Sequence, residues 1–317
     1  MDTILNDLDF INNLVNIIHI NLSIFIFALN GLILYVITKK LKLDTIELKF
    51  VFLLCVLEIF AGLCYNSLGV FKLINGYTFL APNNTPCIIY AYISGTLIRS
   101  EFIIVSMLAL WRYLAVVHEY KLGLKLLVII TIAGMLPTIV TYLYGLINMD
   151  ARPYSSYVIC APLTSPGKLS AILNTIGTIL LMLPCWITTY CYFFIGWKAN
   201  KKLNLMKVEA NINNNEVALR AIKIQKISLV LQIIMVFILY NVNIMVTVVT
   251  YFMRLTTGYK RPPFFDAIAY EMLIVTFTLN PIITVSFQPE IKNEIQFIFI
   301  KLHARIKNAI RRSTTNE

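Results

Sequence analysis

Seven apolar stretches alternate along this chain with short polar connections. Residues 15–38, 48–73, 86–117, 124–147, 169–197, 225–253 and 264–287 are predominantly apolar, and about 20 such residues let an α-helix cross a bilayer's hydrocarbon core. The connections NGYTFLAPNNTP, NMDARPYSSY, LTSPGK and RLTTGYKRPP have the composition of loops. After the seventh stretch, Ile291, Ile295, Phe299, Leu302 and Ile306 recur at helical spacing among basic residues. That pattern predicts an amphipathic helix lying on the inner leaflet. The fold class expected is an all-α membrane protein: a seven-transmembrane helix bundle with a C-terminal amphipathic helix. Residues 1–14 are expected as a short extracellular N-terminus, 15–287 as the bundle, and 288–317 as the amphipathic helix and cytoplasmic tail. Asp2, Asp7 and Asp9 precede the first stretch without a lysine or arginine, the reverse of a basic signal-peptide start.

Composition agrees with this reading. The 317 residues are 58% hydrophobic and 14% charged, with mean hydropathy +0.75. Soluble domains carry about a quarter charged residues, and this much apolar surface exceeds what one water-soluble core can hide. The net charge of +11 would suggest nucleic acid in a soluble protein. Here the cations fall in alternate loops instead. Lys39, Lys40, Lys42 and Lys49, then Lys121 and Lys125, then the 198–226 segment and the tail share one side. The other side holds only Lys72, Arg152, Lys168, Arg254, Lys260 and Arg261. The positive-inside rule places the N-terminus outside and the tail inside, with the plasma membrane as the expected location, membrane lipids as partners and no nucleic acid. Residues 198–222, with the run NINNNE, read as a solvated linker, with a docking loop as the alternative.

Other chemistries find little support. The six cysteines form no CxxC or Cys/His pattern and His19, His118 and His303 are scattered, so no metal site is indicated. The tail has no cysteine to palmitoylate. There is no HExxH and no facing Ser/His or paired-Asp arrangement, so an enzyme is not expected. The halves show no repeat, which weakens a transporter built from repeated bundles.

Polar residues inside the spans are expensive and mark function or helix pairing. Glu58 lies in the second span, Arg99 and Glu101 in the third, Glu271 in the seventh, and asparagines elsewhere. Glu101 and Ser94 stand 11 and 18 residues before Arg112, near whole turns, so all three share one face of the third span. Arg99 is two residues from Glu101 and points elsewhere.

At these positions the chain resembles the rhodopsin-like family of G protein-coupled receptors. Asn30 matches that family's span-one asparagine, and Leu54 with Glu58 its span-two Leu-x-x-x-Asp, with glutamate for aspartate. Cys87, 25 residues before Arg112, matches the span-three cysteine. Trp111, Arg112 and Tyr113 resemble the Asp-Arg-Tyr box; Pro184 and Tyr192 match span five, and Asn280-Pro281 the Asn-Pro box of span seven. The resemblance implies a disulfide from Cys87 to Cys160. It also implies a heterotrimeric G protein partner meeting Arg112 and Tyr192, and an unidentified extracellular ligand. The ligand pocket it implies includes Tyr92, Ser94, Tyr251 and Tyr270, the three tyrosines being otherwise interface-belt aromatics. Asn30, Glu58, Glu101 and Asn280 would form a central cluster that holds a sodium ion, shares a proton, or simply packs. A transporter or channel using the intramembrane carboxylates is the rival reading.

Departures from the family pattern matter too. Trp111 replaces the acidic neighbour of the arginine, Thr284 the tyrosine after the Asn-Pro box, and Asn241 and Asn243 the Trp-x-Pro of span six; span four has no tryptophan. Without a carboxylate at 111, Arg112 is expected to be weakly locked and basal activity high, and Trp111→Asp to lower it. Ile274 stands where retinal would need a lysine, and Ser94 where an amine receptor has aspartate. No cofactor is expected beyond that sodium ion. Asn83-Asn84-Thr85 is an outward-facing glycosylation sequon.

Overall fold

The computed structural model describes residues 2–81, 84–120, 122–164 and 167–314; the sequon position Asn83 lies outside them. Among the described residues, seven helices or helix pairs are long and apolar enough to span a membrane. Helix α1 runs Asp2–Val36 and ends in a π turn at Ile37–Leu41; α2 is Ile46–Asn75, α3 Thr85–Val117 and α4 Leu124–Ile147. A two-stranded hairpin follows, β1 at Ala151–Pro153 and β2 at Cys160–Pro162, paired antiparallel with Arg152 opposite Ala161. Then come α5 (Lys168–Ile212), α6 (Glu216–Phe237), a π segment (Ile238–Val242), α7 (Asn243–Thr257), α8 (Pro263–Phe287) and α9 (Pro289–Thr314). The sixth span is α6, the π segment and α7 together.

Helix α3 runs through the middle, packed on α2, α4 and α5, while α1 packs on α2 and α8. Its buried residues include Phe102, Ile104, Leu108 and Ala109. The outward faces are greasy: on α4, Ile129, Ile132, Leu136 and Val140 are all more than half exposed. Such a belt belongs against lipid. The chain is an integral membrane protein.

Two boundaries differ from expectation. Residues 2–14 are helical and continue the first span, and Asn12 Nδ2 reaches the Ser156 carbonyl at 2.8 Å. The expected linker at 198–222 is mostly helix: α5 continues to Ile212 and α6 starts at Glu216. Lys, Leu, Met and Ala in KANKKLNLMKVEA favour helix. The asparagines supply only the turn and a cap, Asn215 accepting from the Ala218 amide at 3.0 Å.

Candidate functional site

The polar groups form an axis along α3, from one end of the bundle to the other. At the end shared with α9, Arg112 is 7% exposed and donates from Nε to Glu47 Oε1 at 2.7 Å. A second guanidinium nitrogen is also 2.7 Å from that oxygen, and a third donates to the Tyr192 hydroxyl at 2.6 Å. The rings of Phe287 and Tyr192 flank the guanidinium at 5.6 and 6.0 Å. Glu47 sits in the first turn of α2, behind the Thr45 cap, where a carboxylate also suits the helix dipole. Its oxygen further accepts from Gln288 between α8 and α9 at 3.2 Å. The expectation of an arginine without a locking carboxylate is therefore corrected: the partner comes from another helix, 65 residues away. Trp111 is partly buried against the core. Tyr113 meets His118 Nε2 at 3.0 Å and stacks edge-on with Tyr190.

At mid-depth, Asn280 donates to Glu101 and accepts from the Tyr240 hydroxyl, a partner the sequence reading missed. Glu58 lies beside Glu101, with the amides of Asn30 and Asn280 as neighbours. Neither Glu58 oxygen has a hydrogen bond of good geometry among the described residues, and Asn30 Nδ2 donates to its own helix at Ile26. All four predicted cluster residues thus converge, each at most 2% exposed. Pro281, next to Asn280, is buried inside α8 and leaves one backbone carbonyl without its helical donor. Arg112, Tyr192, Tyr240 and Asn280 line one void of about 10 Å³, so cluster and arginine are contiguous.

At the hairpin end, Cys87 is bonded to Cys160, Cα atoms 5.5 Å apart. That bond ties α3 to β2. The loop between the strands is held from three sides. Lys72 donates to the carbonyls of Tyr157 and Val158 at 2.8 and 3.1 Å, and Asp266 accepts from the Ser156 hydroxyl at 2.6 Å. Arg261 pairs with Asp266 at 3.0 Å and lies over the Tyr154 ring. Beneath the loop is a cavity of about 460 Å³, within the range of small-molecule sites. Ser94, Tyr251 and Tyr270 line it. Tyr92 does not: its hydroxyl turns to the Asp150 carbonyl at 2.5 Å and its ring meets Tyr142 edge-on, because its position on α3 faces α4. Tyr92 is corrected from pocket residue to loop support. Two further groups were not anticipated. His19 and Glu271 pair at 2.6 Å between α1 and α8, and Arg99 lines the cavity.

No protein-family model matches the chain, and no curated protein does. Among solved structures it is similar to squid rhodopsin, with a TM-score of 0.69 over 93% of this chain and 87% of that one, at 16% identity. The fold is that of the rhodopsin-like G protein-coupled receptors.

Within the rhodopsin-like fold, the unusual span six has a physical account. Where the family pattern has Trp-x-Pro, the π segment Ile238–Val242 interrupts the helix, and such bulges widen a turn as a proline kink does. The two asparagines are committed to neighbours: Asn241 Nδ2 to Thr189 Oγ1 at 2.6 Å, and Asn243 Nδ2 to Thr276 Oγ1 at 3.1 Å. Thr284, in place of tyrosine, is 6% exposed and lines the small void beside Arg112.

Proposed function

We propose that this chain is a G protein-coupled receptor of the plasma membrane, with the hairpin end extracellular and the α9 end cytoplasmic. It converts binding of an extracellular ligand into activation of a heterotrimeric G protein. The clamp of Arg112 by Glu47, Tyr192 and Gln288 carries this reading. It joins α2, α3, α5 and the start of α9 at the end where cations concentrate, and a ligand-sized cavity lies at the other end of α3.

A ligand shifts such a bundle only by binding one arrangement better than another. In the arrangement described, Arg112 is closed onto Glu47. Moving α5 or α6 outward would separate Tyr192 from it and free guanidinium donors for a G protein's backbone carbonyls. Arginine suits this exchange because it stays charged and offers five donors in either state. The central cluster lies on the route between the ends. Two adjacent buried carboxyls, Glu58 and Glu101, call for a sodium ion or a shared proton there. A sodium-for-choline exchange that leaves thermal stability and ligand affinity unchanged would remove the ion version.

The deciding experiment uses purified full-length protein in lipid nanodiscs. Catalysed nucleotide exchange on a panel of G proteins is expected, and Arg112→Ala should abolish it. Absent exchange, together with carboxylate-dependent ion flux in liposomes, would replace the receptor by the transporter reading.

A further inference from the structure

The cavity beneath the hairpin is cationic. Its charged lining is Arg99, Arg152, Arg254, Lys260 and Arg261 against one carboxylate, Asp266. That carboxylate is already engaged by Arg261 and by the Ser156 hydroxyl and amide. Among the described residues no acid pairs with Arg99, Arg152, Arg254 or Lys260.

Arg99 is the informative one, because it sits inside the third span rather than at the rim. Its Nε and a terminal nitrogen reach the carbonyls of Gly177 and Gly95, both at 3.4 Å, and its guanidinium lies 4.7 Å above the ring of Tyr142, whose hydroxyl is its other polar neighbour. Long bonds to neutral carbonyls and one neutral tyrosine, with no carboxylate partner among the described residues, are thin compensation for a cation at membrane depth. The Tyr142 ring packs close against α3 at Gly95, where no Cβ stands, and Gly177 lies beside the guanidinium on α5. A Cβ at Gly95 would come within 2.5 Å of the Tyr142 ring, and one at Gly177 would face the guanidinium at 3.5 Å. The wall also offers apolar and aromatic surface, including Ile98, Leu181, Val248, Leu273 and Tyr251, beside neutral polar groups such as Ser94, Asn174 and Thr178.

We propose that this cavity takes a small organic anion, a carboxylate with an apolar body, its charge on Arg99 and its entry steered by Arg152, Arg254 and Lys260. The proposal rests on the receptor reading for its consequence but not for its test. An anion supplies what Arg99 lacks, and a fork-shaped guanidinium can bind a carboxylate by two parallel bonds. Rim cations that remain exposed raise the local concentration of anions and speed their capture.

The test is thermal unfolding of the full-length protein in nanodiscs of neutral lipid, with benzoate, indole-acetate and decanoate, each beside its uncharged primary amide. At least one acid is expected to stabilise the protein while its amide does not. Arg99→Gln should weaken that acid by at least about tenfold, Arg99→Lys by less, and Arg254→Ala by less again with a shallower dependence on salt. Without ligand, Arg99→Gln is expected to unfold at the same temperature or higher, because it removes an uncompensated charge. A lower unfolding temperature would make Arg99 a structural tie between α3 and α5 and overturn the proposal. So would acids and amides that act alike, or no stabilisation by any acid. If anionic phosphatidylglycerol in the nanodisc alone reproduces the acid's effect and blocks it, the site belongs to a lipid headgroup and the proposal fails. Failure of G protein exchange alongside acid binding would sink the receptor reading and leave this site intact.

Discussion

Two arginines on one helix, 13 residues apart, have opposite surroundings. Arg112 has a carboxylate at 2.7 Å, a tyrosine hydroxyl at 2.6 Å and two flanking rings. Arg99 has two carbonyls at 3.4 Å and one ring. Both are costly charges in an apolar bundle. The first is paired within the protein, so moving it costs interactions the chain already makes. The second is left open toward a cavity, so what completes it must come from outside. A cation inside the bundle can thus hold a conformation or await a ligand, and its partners tell which.

The contrast extends to the ends of the bundle. The hairpin end is fastened by a disulfide, by Lys72 and by Asp266, whereas the α9 end is closed by noncovalent contacts alone among the described residues. Cutting the covalent tie should have the largest effect. Cys87→Ser is expected to cost about 2–5 kcal/mol of stability, read as a lower unfolding temperature, with loss of the stabilisation that acids produce. Glu47→Gln comes next. It removes the charge partner of Arg112, and since Glu47 keeps about a quarter of its side chain exposed, the full cost of breaking a buried pair must be discounted to about 1–2 kcal/mol. Basal G protein exchange should rise several-fold to about tenfold at equal surface expression. Tyr192→Phe deletes one hydrogen bond to Arg112 and should weaken the closed state by about 1 kcal/mol. If Tyr192 also serves the open state, maximal exchange will fall while basal exchange rises. The smallest effect is expected at Trp111. With Glu47 already on the guanidinium, Trp111→Asp should change basal exchange less than twofold, within about 0.5 kcal/mol. A large fall there would mean that Glu47 does not hold Arg112 in the membrane-embedded protein.

The mid-depth cluster was legible through the family resemblance, which matches Asn30, Glu58 and Asn280 on separate spans, while spacing alone placed Glu101 on the Arg112 face of the third span. The disulfide followed from the family resemblance, with Cys87 and Cys160 both on the side poor in cations. Glu47 was not legible, although Thr45 and Glu47 show the start of a helix. Nothing local says that a carboxylate in the first turn of α2 will meet α3. Tyr240 was hidden for a related reason: a π segment shifts the face on which it falls, so an unbroken helical period misplaces it. Tyr92 failed in the other direction. It has the right depth for a pocket but the wrong azimuth, facing α4 and the hairpin.

Length and apolarity of the seven stretches determined the class of fold, because hydrocarbon leaves a spanning chain few ways to satisfy its backbone other than helix. The distribution of lysine and arginine set the expected orientation, because charge crosses a membrane poorly. The tertiary structure alone decided which charges are paired. Pairing depends on how helices are rotated against one another, and the packing of side chains from several helices at once sets that rotation. The same residue type on the same helix therefore becomes a lock at Arg112 and an open site at Arg99.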